Sequence, residues 1–350
     1  DEVNKDDLNN NNNMSIVRWL ASFLRDRQAK VQFNGVLSKS RKMKQGVPQG
    51  SVLSPVLFLF YINQLAKILP RETLNALFSD DVSVLATRKT KEETETKAQQ
   101  TVDVVNNWSK EWKISLNATK SEASFFSTWT KEATWMPTIT IEGQTIKKEK
   151  TPRLLGVILD RLLNFGPHVD TIVKKTESKQ KIFNAVKNTE WGWNKEKLIQ
   201  IFCAHASSTA EYAAFAWVPS TAKTHLERLD RAQNKLLRAI TGQYLATPVE
   251  ALRLECGLPS QSTTRDRLMA KASEKAKRLD ENHPRHLTSL GPSTHHRKQP
   301  NWRTKSRSLE ERLPEELSNR KDLDYFPTPP WMTAPNLEVY PTLTGITSRE

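Results

Sequence analysis

Cysteine is almost missing from this chain: its 350 residues hold two, Cys203 and Cys256, 53 positions apart. That spacing builds neither a disulfide framework nor a zinc site, so a reducing, intracellular setting is expected. Cys203 and His205 stand one residue apart, but no second ligand pair lies near, and packing on a helix face is the expected role. His295 and His296 sit among prolines and read as a solvated surface pair. Long apolar runs are also missing: none approaches the ~18 residues of a membrane span, and the first residues show no signal-peptide pattern. A soluble protein with no membrane partner is expected. There is no internal repeat. Acidic residues are in deficit, 39 against 53 Lys and Arg, for a net charge of +14. Clustered Lys and Arg gain from releasing counterions on nucleic acid, so a polyanionic partner is indicated; the bland alternative is a merely soluble basic protein. Hydrophobic content of 37% is low but supports a core. The length allows two domains, or one domain and a long tail.

Organisation follows from the pattern of apolar positions. Residues 1–14 are acidic and Asn-rich and are expected to lack order. Ile16, Leu20 and Phe23 mark a short amphipathic helix. Asn34-Gly35 follows an alternating run and predicts a two-residue hairpin turn. A block of helical length over 52–69 comes after a Pro-Gln-Gly turn, with Ser51 as its expected N-cap. Ala98, Val102, Val105, Trp108 and Trp112 step at helical spacing over 90–112. Residues 139–143 and 154–158 read as strands. Beyond Asp160 the pattern is helical and basic, with Lys174, Lys175, Lys179, Lys181 and Lys187 in one segment. A second amphipathic helix carries Leu226, Leu229, Leu236, Leu237 and Ile240, with Arg228, Arg231, Lys235 and Arg238 on its other faces. Nine of the eighteen prolines fall in 281–350, which reads as a linker or extended tail.

Two segments carry chemistry. Phe78-Ser-Asp-Asp81 lies between two short β-type runs, which places Asp80 and Asp81 at a hairpin tip where hard carboxylate oxygens can hold a divalent cation. About thirty residues upstream stands Gln45-Gly-Val-Pro-Gln-Gly-Ser-Val-Leu-Ser-Pro55. Its glycines let backbone come close to a nucleotide. Alone, the first is an ordinary Asp-rich turn and the second a turn that starts a helix. In this order and at this distance they point to a metal-dependent nucleotide site.

These residues resemble the C-terminal part of a non-LTR (LINE-type) retrotransposon reverse transcriptase, roughly over 15–280. The 45–55 segment, with Leu57-Phe58 and Tyr61-Ile-Asn63, is similar to motif B, and 19–38 to its approach. Phe78-Ser-Asp-Asp81 stands where motif C usually reads Phe/Tyr-Ala-Asp-Asp, with Ser79 in place of alanine. Trp112, Leu116-Asn117 and Lys120 resemble motif D; Leu154-Leu-Gly-Val157, Asp160, Phe165 and His168 resemble motif E and the start of the thumb. Thr189-Glu-Trp-Gly192 with Lys195-Glu-Lys-Leu198 is similar to the thumb of ingi-type trypanosomatid elements. Residues 226–260 resemble the segment after the thumb, and Pro329-Pro-Trp331 a spacer before an RNase H domain. Asp1-Glu-Val3 resembles only the last letters of motif A. The motif A aspartate and the fingers are therefore expected upstream of Asp1, in a chain that is a truncated copy.

The resemblance implies an α+β fold. Residues 15–150 would be a partial palm of antiparallel sheet with helices, 151–280 motif E and a helical thumb with its following helices, and 281–350 a disordered Pro-rich tail. It implies RNA-directed DNA polymerase activity by two-metal nucleotidyl transfer, with Asp80 and Asp81 as catalytic metal ligands for Mg2+, or Mn2+ as the alternative ion. Lys120 would protonate the leaving pyrophosphate, surface lysine being the alternative. Gly46, Pro48, Gln49 and Gly50 would line the nucleotide and template face. Leu155 and Gly156 would form the primer grip, with a plain buried strand as the alternative. Trp191 and Trp193 would stack on bases or serve as core residues. The implied partners are an RNA template, a DNA primer or target, and dNTPs, in the nucleus or a cytoplasmic ribonucleoprotein. The competing reading is a catalytically inactive nucleic-acid-binding remnant, favoured by the missing aspartate. An RNA-templated RNA polymerase is a third, against which the Pro48-Gln49-Gly50 triplet speaks.

Overall fold

The computed structural model describes residues 11–127, 130–132, 134–186, 192–280, 283, 286 and 302–310. Two compact units divide the chain, one reaching Ile114 and the other beginning at Ser115.

The first unit opens with α1 (Asn11–Leu24), which starts inside the stretch expected to lack order. Trp19 and Phe23 stack on it at 5.7 Å, one helical turn apart. A nested ribbon follows: β1 (Gln28–Ala29), β2 (Gln32–Phe33), β3 (Val36–Leu37) and β4 (Arg41–Lys42), with β2–β3 inside the antiparallel β1–β4 pair. Asn34 and Gly35 turn it with φ of 46° and 79°, the left-handed pair that a two-residue hairpin requires. After α2 (Ser54–Ile68) come the antiparallel β5 (Leu74–Phe78) and β6 (Asp81–Leu85), then α3 (Lys91–Glu111). Thr90 caps α3, its hydroxyl accepting from the Glu93 N–H at 3.2 Å, and Glu92 and Glu93 face the positive helix end. The expected stripe packs inward: Val105 and Trp108 are buried. Tyr61 of α2 meets Trp108 at 6.5 Å and Trp112 at 5.4 Å, and its hydroxyl donates to the Trp112 carbonyl. This aromatic cluster is the pin between α2 and α3.

In the second unit the strands are β7 (Glu122–Ala123), β8 (Thr140–Ile141), β9 (Gln144–Thr145), β10 (Lys147–Lys148), β11 (Arg153–Leu154) and β12 (Val157–Ile158). β10 pairs with β7 in parallel; β8–β9 and β11–β12 are antiparallel hairpins. Helices α4 (Gly166–Val186), α5 (Lys195–Ile201), α6 (Ser208–Glu211), α7 (Ala214–Trp217), α8 (Lys223–Thr241), α9 (Val249–Glu255), α10 (Gln261–Lys277) and α11 (Trp302–Glu310) complete it, with a π-helical turn at Phe202–Ser207. α4 and α8 lie side by side and run in the same direction. Asp170 pairs with Arg228, and seven residues further along both helices Glu177 pairs with Lys235. Between them runs the core. Val169, Ile172 and Val173 meet Trp217, Leu229 and Ala232 at one end. Phe183 meets Leu236, Leu237 and Ile240 at the other, with Leu198 and Phe202 closing it. Each buried Val, Leu or Ile among these stabilises by up to about 1.5–3 kcal/mol. Gly242, at φ 70°, ends α8 in the left-handed cap position.

Helix and small, mainly antiparallel sheets mix in both units, as an α+β chain requires. Several finer expectations are corrected. The compact division falls after Ile114, and 115–150 is tied to the loop after the β11–β12 hairpin, where Arg161 donates to the Trp135 carbonyl at 2.8 Å and its own carbonyl accepts from the Ser127 N–H at 3.1 Å. Residues 139–143 and 154–158 are not single strands: each turns back on itself, at Glu142 and Gly143 and at Leu155 and Gly156, all four at positive φ. Ser51 does not cap α2; Leu53 holds that position, and the Ser51 hydroxyl accepts from the Leu53 N–H at 3.3 Å instead. Pro55 in the first turn, with no N–H to satisfy, makes a side-chain cap less needed. Cys203 and His205 are exposed, and Phe202 and Ala206 of the same turn do the packing. Within the stretch expected to be a tail, α11 docks on α10: Ser306 and Leu309 are buried, and Lys305 reaches Asp266 at 3.2 Å. Lys187, Thr189, Trp191, His295, His296 and Pro329-Pro-Trp331 lie outside the described residues.

Candidate active site

The hairpin β5–β6 has five paired positions, ending with Phe78 opposite Asp81. Ser79 and Asp80 make the whole turn, and Ser79 takes the left-handed φ of 53°. A small residue is suited to that position, because a β-branched one would crowd its own carbonyl. Asp80 therefore stands on the turn and Asp81 on the first position of β6, and both are exposed. The tip is where sequence pattern placed it.

Upstream, the 46–50 loop is shaped by backbone rather than by side-chain packing. Gly46 and Gly50 adopt φ of 77° and 92°, and a Cβ at either would meet nothing within 4 Å. The glycines serve the turn and leave an open face. Arg27 anchors the loop: its guanidinium donates to the Gln45 carbonyl at 3.3 Å and to the Gly46 carbonyl, and its Nε to the Leu24 carbonyl at 3.1 Å. The Ser54 hydroxyl donates to the Pro48 carbonyl and the Ser51 N–H to the same oxygen at 3.3 Å, so Pro48 is lashed to the start of α2 while Gln49 stays exposed. Arg27 stood in the sequence only as part of a matching pattern; its role in holding the loop depends on a reversal through β1–β4 that no local signal announces.

Lys120, Leu155 and Gly156 belong to the second unit. Lys120 closes a turn whose N–H donates to the Asn117 side chain at 3.1 Å, and its own side chain is exposed. The 115–119 loop beside it lines an open concavity of about 350 Å³ with Ile141, Glu142 and Gln144. Nearby, Lys147 bridges Glu149 at 2.6 Å and Glu122 at 3.0 Å, clamping the β7–β10 pair. Lys147 and the Thr151 N–H together hold the Glu149 carboxyl down to about 2.

Leu155 and Gly156 form the tip of β11–β12, with φ of 44° and 85°. Two later side chains hold this hairpin, Tyr212 at its tip and His168 at its base. The Tyr212 hydroxyl donates to the Leu155 carbonyl at 2.8 Å, and the Ile158 N–H donates to His168 Nδ1 at 3.3 Å. His168 packs edge-on to the Trp217 ring at 5.3 Å and is 5% exposed. Burial first, then Lys175 and Arg153, push its pKa down to about 4. A neutral imidazole accepting at Nδ1 suits that environment. Asp160 shapes the loop into α4, accepting from the Asn164 N–H at 3.1 Å and the Phe165 N–H.

The donor chemistry of Asp80 and Asp81 fits a hard divalent cation: two adjacent carboxylates, exposed and joined to no Lys or Arg among the described residues. As a ligand set it is partial. Among the described residues no group of three or more metal-ligating side chains occurs.

Residues 1–159 match the family model for "Reverse transcriptase (RNA-dependent DNA polymerase)". That span holds the 46–50 loop, the Asp80 and Asp81 tip, Lys120 and the turn at Leu155 and Gly156. Curated relatives that match over a longer stretch are named as RNA-directed DNA polymerases of mobile elements and transposons. The RNA-directed DNA polymerase from mobile element jockey of Drosophila funebris is 28% identical over 317 residues, 87% of this chain and 33% of its own length. Its Drosophila melanogaster counterpart is 27% identical over 311 residues, 85% of this chain and 32% of its own. The probable RNA-directed DNA polymerase from transposon X-element of Drosophila melanogaster is 27% identical over 226 residues, 64% and 24% respectively. The chain thus spans a third or less of these relatives' length. No helix among the described residues is long and apolar enough to cross a membrane.

Proposed function

We propose that this chain carries the polymerising part of an RNA-directed DNA polymerase of a non-LTR retrotransposon, working on an RNA template, a DNA primer and dNTPs. The reading rests on one conjunction: an open glycine loop before α2 and an exposed two-aspartate hairpin tip, in one compact unit and inside the reverse transcriptase match. Asp80 and Asp81 are the metal-holding residues, for Mg2+ with Mn2+ as the alternative. When bound, the metal pair offsets the charge developing on the attacking 3′-oxygen and on the leaving pyrophosphate. The rest of the coordination shell would come from phosphate oxygens, water and ligands outside the described residues. Gly46, Pro48, Gln49 and Gly50 let the incoming base pair against its template without a side chain in the way. Lys120 gives a proton to the pyrophosphate, and the turn at Leu155 and Gly156 bears on the primer backbone.

In this reading residues 15–150 are palm, and the compact boundary at Ile114 falls within it. Residues 151–280 are the thumb with its following helices, where α4 and α8 track phosphates. An ingi-type affiliation rests on Thr189-Glu-Trp-Gly192 and on Lys195-Glu-Lys-Leu198, the latter opening α5. The site of action is the nucleus, at target-primed integration, or a cytoplasmic ribonucleoprotein. The test is incorporation on a primed RNA with dNTPs against NTPs, for the chain and for Asp80→Asn. Incorporation that prefers NTPs, or that Asp80→Asn leaves undiminished, overturns the polymerase reading. A second reading is a nucleic-acid-binding remnant without turnover, since Asp80 and Asp81 supply ligands on only one side of a metal pair while the basic surface would still bind nucleic acid. Salt-sensitive binding of the hybrid with no incorporation would select it.

A further inference from the structure

The turn at Leu155 and Gly156 is unusual for its composition. Leucine at φ 44° costs roughly 1–2 kcal/mol relative to an ordinary backbone conformation, so the turn needs support from outside its own hairpin. Tyr212, 57 residues along the chain from Leu155, supplies it twice. Its hydroxyl donates to the Leu155 carbonyl at 2.8 Å, which fixes the peptide plane between the two turn residues. Its ring lies against Gly156, where an added Cβ would come within 3.3 Å of Tyr212 Cε1. The φ of 85° favours glycine here, and a Cβ would in addition press the Tyr212 ring outward by a few tenths of an ångström.

Tyr212 is in turn held by the core. Its N–H donates to the Ser208 carbonyl at 3.0 Å, and its carbonyl accepts from the Trp217 indole N–H at 3.0 Å. Trp217 is fully buried and also carries His168, which accepts from Ile158 on the far side of the same hairpin. The tip and the second strand of the hairpin therefore both lead to one buried indole. The outer face is different: Tyr212 is 56% exposed, and Leu154 and Leu155 are 42% and 43% exposed. A rigidly backed turn with an exposed aromatic and apolar surround suits close contact with a nucleic-acid end more than it suits packing.

We propose that Tyr212 is a positioning residue for the primer terminus: it locks the Leu155 and Gly156 turn, and preference for a recessed 3′ end depends on its hydroxyl and ring. This rests on the reading of that turn as a primer grip. The test uses the full chain and an RNA–DNA hybrid carrying 2-aminopurine at the DNA 3′ end. Affinity and fluorescence at the recessed end are compared with those for a fully paired hybrid of equal length. Variants are Tyr212→Phe, Tyr212→Ala and Gly156→Ala, each checked by thermal melting. The expected result for Tyr212→Phe is about fivefold loss of preference for the recessed end, the scale of one hydrogen bond, with affinity for the fully paired hybrid unchanged. Tyr212→Ala should lose more; if it melts early, the phenylalanine variant carries the test alone. Loss of preference in Gly156→Ala but in neither Tyr212 variant overturns the inference and leaves the primer-grip reading standing. Preference untouched in all three variants, or absent from the parent chain, overturns that reading and the inference with it.

Discussion

At the residue scale, Asp80 and Asp81 are exposed and pair with no Lys or Arg among the described residues, so under the proposed function both carboxylates are available to a bound divalent ion. Replacing either by asparagine keeps the size and removes the charge. We expect Asp80→Asn and Asp81→Asn each to lower dNTP incorporation by about a hundredfold or more, the scale seen when a preorganised electrostatic partner is lost. Electron paramagnetic resonance should show less Mn2+ bound to the complex of chain, primed hybrid and dNTP; unchanged Mn2+ would count against both as ligands. His168 gives a second, separate expectation. Its pKa in the folded chain is lowered to about 4, below the ordinary histidine value, so the unfolded chain binds the extra proton. The stability that depends on a neutral His168 is complete above about pH 6.5 and is lost as pH falls through about 4, by about 3 kcal/mol. Denaturant midpoints measured at pH 7 and pH 4.5 should differ less in His168→Gln than in the parent chain. An equal difference would remove His168 as the cause.

Turns decide most of what happens at the scale of elements. Asn34-Gly35 is legible from sequence because asparagine and glycine both tolerate left-handed backbone. Leu155-Gly156 has the same kind of geometry but reads as the middle of a strand, since leucine has no such tolerance. What overrules its preference is the Tyr212 hydrogen bond, a contact 57 residues distant. The helix α11 is a comparable case. Prolines around it suggest a tail, yet Ser306 meets Ser273 and Leu309 is 8% exposed, so the helix is held by docking on α10 rather than by its own propensity. We expect Leu309→Ala to weaken that docking by about 2 kcal/mol, seen as roughly thirtyfold faster amide exchange over 302–310. Exchange at the parent rate would mean that the leucine is not the anchor.

For the whole molecule, charge is the property that sums. An excess of 14 positive charges, with basic residues along α4 and α8, gives a distributed attraction to phosphate that no single lysine owns. Binding of a primed RNA hybrid should therefore weaken steeply with salt, linearly in log Kd against log salt, and survive single lysine substitutions. A flat response would assign the affinity to base or end contacts instead. Some basic residues are committed elsewhere: Arg228 and Lys235 pair with Asp170 and Glu177 on the neighbouring helix, and Lys179 reaches the His205 carbonyl and Thr209.

The sequence by itself determined the local features: the helix stripe of α3, the Asn34-Gly35 hairpin, the Asp80 and Asp81 tip, the glycine loop before α2, and the basic balance. All but the last rest on neighbours within about four residues, where periodicity, capping and turn chemistry act, and the basic balance is a plain sum over the chain. Only the tertiary structure decided that 115–150 belongs to the second unit, that α4 and α8 run parallel over one core, and that α11 returns to α10. It alone brought Arg27 to the Gly46 carbonyl and Tyr212 to Leu155. These are contacts between distant segments, and what stabilises them is burial and the satisfaction of backbone polar groups across the fold, which no window of sequence contains.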